Sequence, residues 1–262
     1  MRRRYLIIYR SFCFLLLISP PVSAQTTTQN SPAMSRTASQ NTAKPSPAIP
    51  TFKKAFVMDD RLSVLRRKPN LQSEVIRRVH LGRAVYVVGI SKVTSGEPRF
   101  YRVVVTRRTR GWIHEGALAI QGHPGEDQRI LELIETSQGI DKITLCRLLC
   151  QSFSRSRLVA RSMLLLAEEA ERIAESLSQR IRRRLGEVRV AAVPARDYYL
   201  SDAGLDRYSK LGVAFDFNES TGEFSYDGKV YRELIKRFPT SEEAAMALQR
   251  LVFASKKVSN KP

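Results

Sequence analysis

Three cysteines, three histidines and one tryptophan among 262 residues leave little material for several kinds of chemistry. Cys13 lies in an apolar N-terminal run, so Cys146 and Cys150 are the pair available to the rest of the chain. Their i, i+4 spacing on a predicted helix puts them on one face. Two such cysteines make a strained disulfide, and a metal site needs more ligands. Buried small apolar side chains are the favoured reading, with a disulfide in an oxidising compartment as the alternative. His80, His114 and His123 add no site, because His114-Glu115 lacks a second His at zinc-protease spacing. Neither a Gly-x-Ser-x-Gly elbow nor a phosphate-binding loop occurs. No His follows His123, which excludes a Cys–His hydrolase in the C-terminal half. The sequence therefore assigns no catalytic residue, no metal and no cofactor, and an enzyme is not expected.

Long apolar runs are missing as well. Ser-Phe-Cys-Phe-Leu-Leu-Leu-Ile (11–18) falls well short of the about 20 residues a bilayer span needs, and extending it backwards brings in Arg10. Arg2, Arg3 and Arg4 precede this run, Pro20 and Pro21 follow it, and Val22-Ser23-Ala24 offers small residues for cleavage. That layout predicts a secretory signal peptide over 1–24, cleaved after Ala24, rather than a stable transmembrane segment. Residues 25–50 carry Thr, Ser, Gln, Asn, Ala and Pro with almost no charge or large apolar residue, which predicts a disordered linker. Export, periplasmic or extracellular, argues against nucleic acid as a partner.

Acidic residues are scarce only in part of the chain. Residues 51–121 hold fifteen Lys/Arg against five Asp/Glu, a net of +10, whereas residues 122–262 hold twenty-three against twenty, a net of +3. A basic surface of that kind attracts polyanions in a salt-dependent way. Within 51–121, short β-branched and aromatic runs alternate with Gly, Pro and Asn, the pattern of a small barrel of about five short strands. Ala55-Phe56-Val57-Met58 opens it. Val85 to Ile90 is apolar on both faces and is expected to be a central strand. Trp112 is expected in the core. Leu65-Arg66 with Pro69, Val75-Ile76, Gly82 before Val85-Tyr86-Val87-Val88, and Gly111-Trp112-Ile113 occur in series. In that order they resemble the bacterial SH3-type (SH3b) domain over residues 55–121. Ser63 and Lys68 depart from the usual apolar residue and glycine of that pattern. The resemblance implies a cell-wall or peptide ligand.

Beyond Gly122-His123-Pro124-Gly125 the apolar period becomes helical. Helices are predicted from Ile130, around Leu145 to Leu149, and over 156–186, the last with acids early and Arg180, Arg182, Arg183 and Arg184 late, as the helix dipole favours. Val188 to Pro194 reads as a hinge. A short helix ends at Gly212, a hairpin turns at 219–222, and two helices follow, separated by Pro239. Tyr231, Glu233-Leu234, Arg237-Phe238-Pro239, Ser241 and Glu243-Ala244-Ala245 resemble one tetratricopeptide-like helix pair over residues 229–254. No second copy occurs at a period of about 34, so a repeat array is not expected. Asp216, Asn218, Ser220 and Asp227 match part of a calcium loop, but Thr221 stands at the glycine position and Asp227 at the bidentate Glu position, which argues against calcium.

The expectation is an α+β multidomain chain: a small SH3-like β-barrel over 51–121 followed by a mainly α-helical domain over 122–257. The expected function is that of an exported, non-enzymatic binding protein. Its partner would be peptidoglycan or another anionic cell-envelope polymer, with an envelope protein on the helical half as the alternative. Residue type and position make Tyr86, Tyr101, Arg107, Arg108 and Arg110 the candidate ligand-binding residues.

Overall fold

Seven short strands pair into one antiparallel sheet: β1 (Lys53–Val57), β2 (Val64–Arg66), β3 (Val75–Arg78), β4 (Ala84–Ile90), β5 (Phe100–Val104), β6 (Arg110–His114) and β7 (Leu118–Ile120). The order is β3-β2-β6-β5-β4-β1-β7, with a single 3-10 turn, Glu115–Ala117, joining β6 to β7. These assignments come from a computed structural model that describes residues 52–92, 98–187, 204–218 and 221–259. The predicted signal peptide, the linker, the hinge at 188–194 and Ser220 lie outside the described residues. The edge strands β3 and β7 are not paired with each other, so the sheet is open, and it has seven strands where about five were expected. The two unforeseen strands, β2 and β7, have three residues each, too few for an alternation to register.

Alternation explains the sheet's core. Ala55, Val57, Leu65, Val85, Val87, Val103, Ile113 and Leu118 are buried in one cluster drawn from six of the seven strands, so the sheet curls over this face. β4 is central, between β5 and β1, as its apolar content predicts. It is not buried on both faces, however, because Tyr86 and Ile90 are exposed while Val85 and Val87 are buried. Trp112 also departs from expectation. It alternates with the buried Ile113, points away from the cluster and is only half-buried. Gly111 before it has a steric role: a Cβ there would lie 2.7 Å from the Arg66 carbonyl oxygen and 2.8 Å from Leu65 Cγ. At the β1–β2 turn, Asp59 accepts hydrogen bonds from the Arg61 backbone N–H (2.9 Å) and guanidinium (2.8 and 3.0 Å). These bonds hold its carboxyl below the usual carboxylate range against the opposing effect of burial.

The helices follow as predicted in kind and order: α1 (Glu126–Thr136), α2 (Gly139–Ser152), α3 (Val159–Glu187), α4 (Leu205–Lys210), a hairpin of β8 (Phe215–Asn218) and β9 (Glu223–Tyr226), then α5 (Lys229–Arg237) and α6 (Glu242–Ser259). The apolar face of α3 fixes the rest, with Leu164, Ala167, Ala170, Ile173 and Leu177 buried at helical spacing. Ser178 on α3 accepts a hydrogen bond from the Phe224 amide at 2.8 Å and so docks the hairpin. Cys146 and Cys150 are free thiols in this layer, and burial pushes the Cys146 thiol up to about 12. Phe56, Met58 and Ala119 of the sheet half belong to the helical core, with Leu81 and Ala84 packed against it. Among the described residues no helix is long and apolar enough to cross a membrane.

Candidate functional site

Cross-strand partners in a sheet share a face, so the register shows which candidate residues meet. Lys54 on β1 pairs with Tyr86 on β4, Tyr86 with Val104 on β5, and Val104 with Arg110 on β6. This row runs Lys54–Tyr86–Val104–Arg110. The next row runs Gly89–Arg102–Trp112–Arg66 across β4, β5, β6 and β2. Both rows lie on the face opposite the sheet's buried cluster. Tyr86 is 47% exposed, and Lys54, Arg102 and Arg110 are exposed beside it. The same face is closed further along β1 and β4, where Phe56 and Ala84 pack against the helical core. Lys54 marks the border, its ammonium 5.1 Å from the centroid of the Phe56 ring.

Each open row thus combines an aromatic ring with cations on neighbouring strands. Arg66 is fixed by a 2.8 Å hydrogen bond from Nη1 to the Ser73 carbonyl oxygen. Among the described residues none of Lys54, Arg102, Arg107, Arg108 and Arg110 has a carboxylate within ion-pair distance. In contrast, Arg61, Arg67, Arg78 and Arg99 of the same half each have one. Arg107 and Arg108 are exposed in the turn between β5 and β6, which closes through the Val105 N–H donating to the Thr109 carbonyl oxygen at 2.9 Å. Rings and unpaired guanidinium groups on one surface suit a ligand that presents apolar ring faces together with carboxylates or phosphates.

Tyr101 is not part of this face. It lies on β5 three residues from Val104, so it points to the opposite side and packs half-buried against the sheet's cluster. There it lines a cavity of about 430 Å³ with Arg99, His114, Glu115, His123, Glu126 and Arg129. Charge in that cavity is already matched: Arg129 lies 2.8 Å from Glu126, and Arg99 3.7 Å from Glu115. His114 is also committed, its Nδ1 accepting from the Gly116 N–H at 3.0 Å and its ring edge-on to Phe100. A larger cavity of about 630 Å³ adjoins His123 between the 121–125 and 152–156 loops; there Asp127 accepts from the Ser156 hydroxyl at 2.6 Å. The structure therefore brings Tyr86 and Arg110 together, leaves Arg107 and Arg108 at the adjoining turn, and separates Tyr101.

Sequence reasoning missed Lys54, Arg66, Arg102 and Trp112. The available signal was the alternation of Phe100, Arg102 and Val104 with Tyr101 and Val103, and of Trp112 with Ile113. Among the described residues no group of three or more His, Cys, Asp or Glu could hold a metal ion. Asn218 instead accepts from the Thr221 N–H at 3.2 Å and Asp227 from the Lys229 N–H at 2.9 Å, both turn-closing bonds. Comparison of the chain with protein-family models, curated proteins and solved structures gives no match.

Proposed function

We propose that this chain is an exported, non-enzymatic binding protein whose sheet half, SH3b-like by its sequence resemblance, takes an anionic cell-envelope polymer. Peptidoglycan is the first candidate. The observation that carries the reading is the open face with Tyr86 and Trp112 flanked by Lys54, Arg66, Arg102 and Arg110 in two adjacent rows. Sugar rings can stack on the aromatic rings, while carboxylates of the polymer pair with the guanidinium groups. Each exposed charge is worth about 1 kcal/mol at contact in water, so several acting on one polymer give measurable affinity that salt weakens. The signal-like N-terminus supports export to the compartment where such a polymer lies.

The test is co-sedimentation of the chain beginning at Gln25 with purified cell wall across a salt series. Binding at low ionic strength that declines as salt rises is expected. Changing Arg66, Arg102 and Arg110 together to Gln should abolish it, and changing Arg107, Arg108 and Arg110 to Ser should weaken it, with melting curves showing each variant folded. Binding that is absent at low salt, or unchanged in both variants, would sink the proposal.

A second reading has its own observation. On α6, the second helix of the tetratricopeptide-like pair, Met246, Leu248 and Phe253 are exposed, Phe253 by 75%. A periplasmic scaffold would use such a surface to dock an envelope protein. Pull-down of an envelope protein that is lost in Phe253→Ser, with no cell-wall binding, would favour this reading.

A further inference from the structure

The helical half holds positive charge that the reading above leaves unused. A cavity of about 330 Å³ opens between α2, the turn after α4 and the start of α5. Arg147, Lys210 and Lys229 line it, and Glu233 is the one acid beside them. Three cations against one acid leave it at a net +2.

Arg147 is held in position there. Its Nη2 donates to the Gly212 carbonyl oxygen at 3.0 Å. Gly212 has φ +71°, and a Cβ at that position would lie 2.7 Å from Arg147 Nη2, so glycine lets the guanidinium lie against the turn. Nε of Arg147 is buried without a hydrogen-bond partner, and among the described residues no carboxylate lies within ion-pair distance of the group. A partly buried cation without a counter-ion is costly to keep. Elsewhere in this half the buried charges are matched: Glu126 with Arg129 at 2.8 Å, and Glu169 with Arg172, whose Nε donates at 2.9 Å. The positive potential does not come from a bare helix end, because the Lys229 and Val230 amides already donate to Asp227 and the Tyr226 hydroxyl. Burial pushes the Tyr226 hydroxyl pKa up, so that group stays neutral and offers no counter-charge. Lys210 also meets Asp206 at 3.6 Å, but both are well exposed and the contact is worth little.

We propose that this cavity is a second binding site, for a small dianion carrying carboxylate or phosphate oxygens, with Arg147 as the fixed donor and Lys210 and Lys229 as flanking charges. Its volume is that of a small-molecule site rather than a polymer groove. The site lies in the other half of the chain from the sheet face and stands or falls separately from it.

Thermal unfolding of the whole chain tests this in rising inorganic phosphate and, separately, succinate, against chloride at matched ionic strength. A ligand that binds only the folded state raises the melting temperature with its concentration. One of the two dianions should do so beyond chloride, and which one identifies the head group. Lys229→Gln, at an exposed position, should weaken binding by about fivefold, as expected for the loss of one charge at contact. The Lys210→Gln, Lys229→Gln pair should remove the effect. Changing Arg107, Arg108 and Arg110 to Ser should leave it intact. A rise no greater than with chloride for either dianion, or one that persists in the lysine pair, overturns the assignment.

Discussion

Arg129 and Arg110 sit within twenty residues of each other and are used in opposite ways. Arg129 lies 2.8 Å from Glu126, whose carboxylate is buried, while Arg110 faces the Tyr86 row with no acid in reach among the described residues. The contrast holds for the two halves at large. The helical layer has nearly balanced charge and sets Arg129, Arg161, Arg172, Arg182 and Arg250 against glutamates, with Arg147 an exception. The sheet has ten more cations than acids and leaves several on one open face. The cores differ too, since the sheet's cluster is small and β-branched, and part of the sheet is buried in the helical core instead. Charge in the helices helps to specify packing, while on the sheet it remains available to a partner.

The strongest way to break this comparison is through the residues that cross it. Phe56→Ala should destabilise the whole chain by about 3–5 kcal/mol, because Phe56 joins the sheet to the helical core. Urea unfolding followed by circular dichroism should then show sheet and helix melting together. Trp112→Ala should cost no more than about 1–2 kcal/mol, since that ring is half-exposed. The reverse order would place the molecule's structural anchor on the face we regard as open.

Gly111→Ala should come next, at about 1–3 kcal/mol, because the new methyl meets the β2 backbone. Denaturant midpoints report it directly. The arginine pair sharpens the contrast itself. Arg129→Gln should cost about 1–2 kcal/mol by leaving Glu126 buried beside a weaker partner. Arg110→Gln should stay within about 0.5 kcal/mol in stability yet lower cell-wall binding.

Asp59→Asn should also have a small effect, below about 1 kcal/mol, because Arg61 is largely exposed. The Asp59 carboxyl is held lower in the folded chain than in the unfolded one. Its contribution is therefore present above the unfolded value, near 3.8, and lost as pH falls through the folded value. Melting curves of the parent and Asp59→Asn should differ near neutrality and converge in acid.

Much of the fold was legible because period and punctuation agree along the chain. The switch to helical spacing after Gly125, the hairpin turning at 219–222 and the stop at Pro239 all correspond to boundaries in the structure. What escaped notice was short or relational. Three-residue strands carry no alternation, and Phe56 looks like an ordinary strand residue until a helix covers it. The candidate site was half legible for the same reason. Residue type pointed to Tyr86 and the 107–110 turn, but a row across four strands depends on register, and no local pattern places Lys54, Arg66 and Trp112 together. Tyr101 and Tyr86 have the same chemistry, and only strand parity puts them on opposite sides.

Trp112 has an optical consequence. It is the chain's one tryptophan, and it lies on the open face between Arg66 and Arg102. Tryptophan fluorescence therefore reports from a single point, which is also the point where a ligand would sit. A bound polymer that displaces water from the ring should move the emission to the blue, whereas unfolding should move it to the red, so one sample distinguishes the two events by sign. The neighbouring guanidinium groups should also draw iodide toward the ring and repel caesium. Unequal quenching by these ions would measure the local potential of the face before any partner is known.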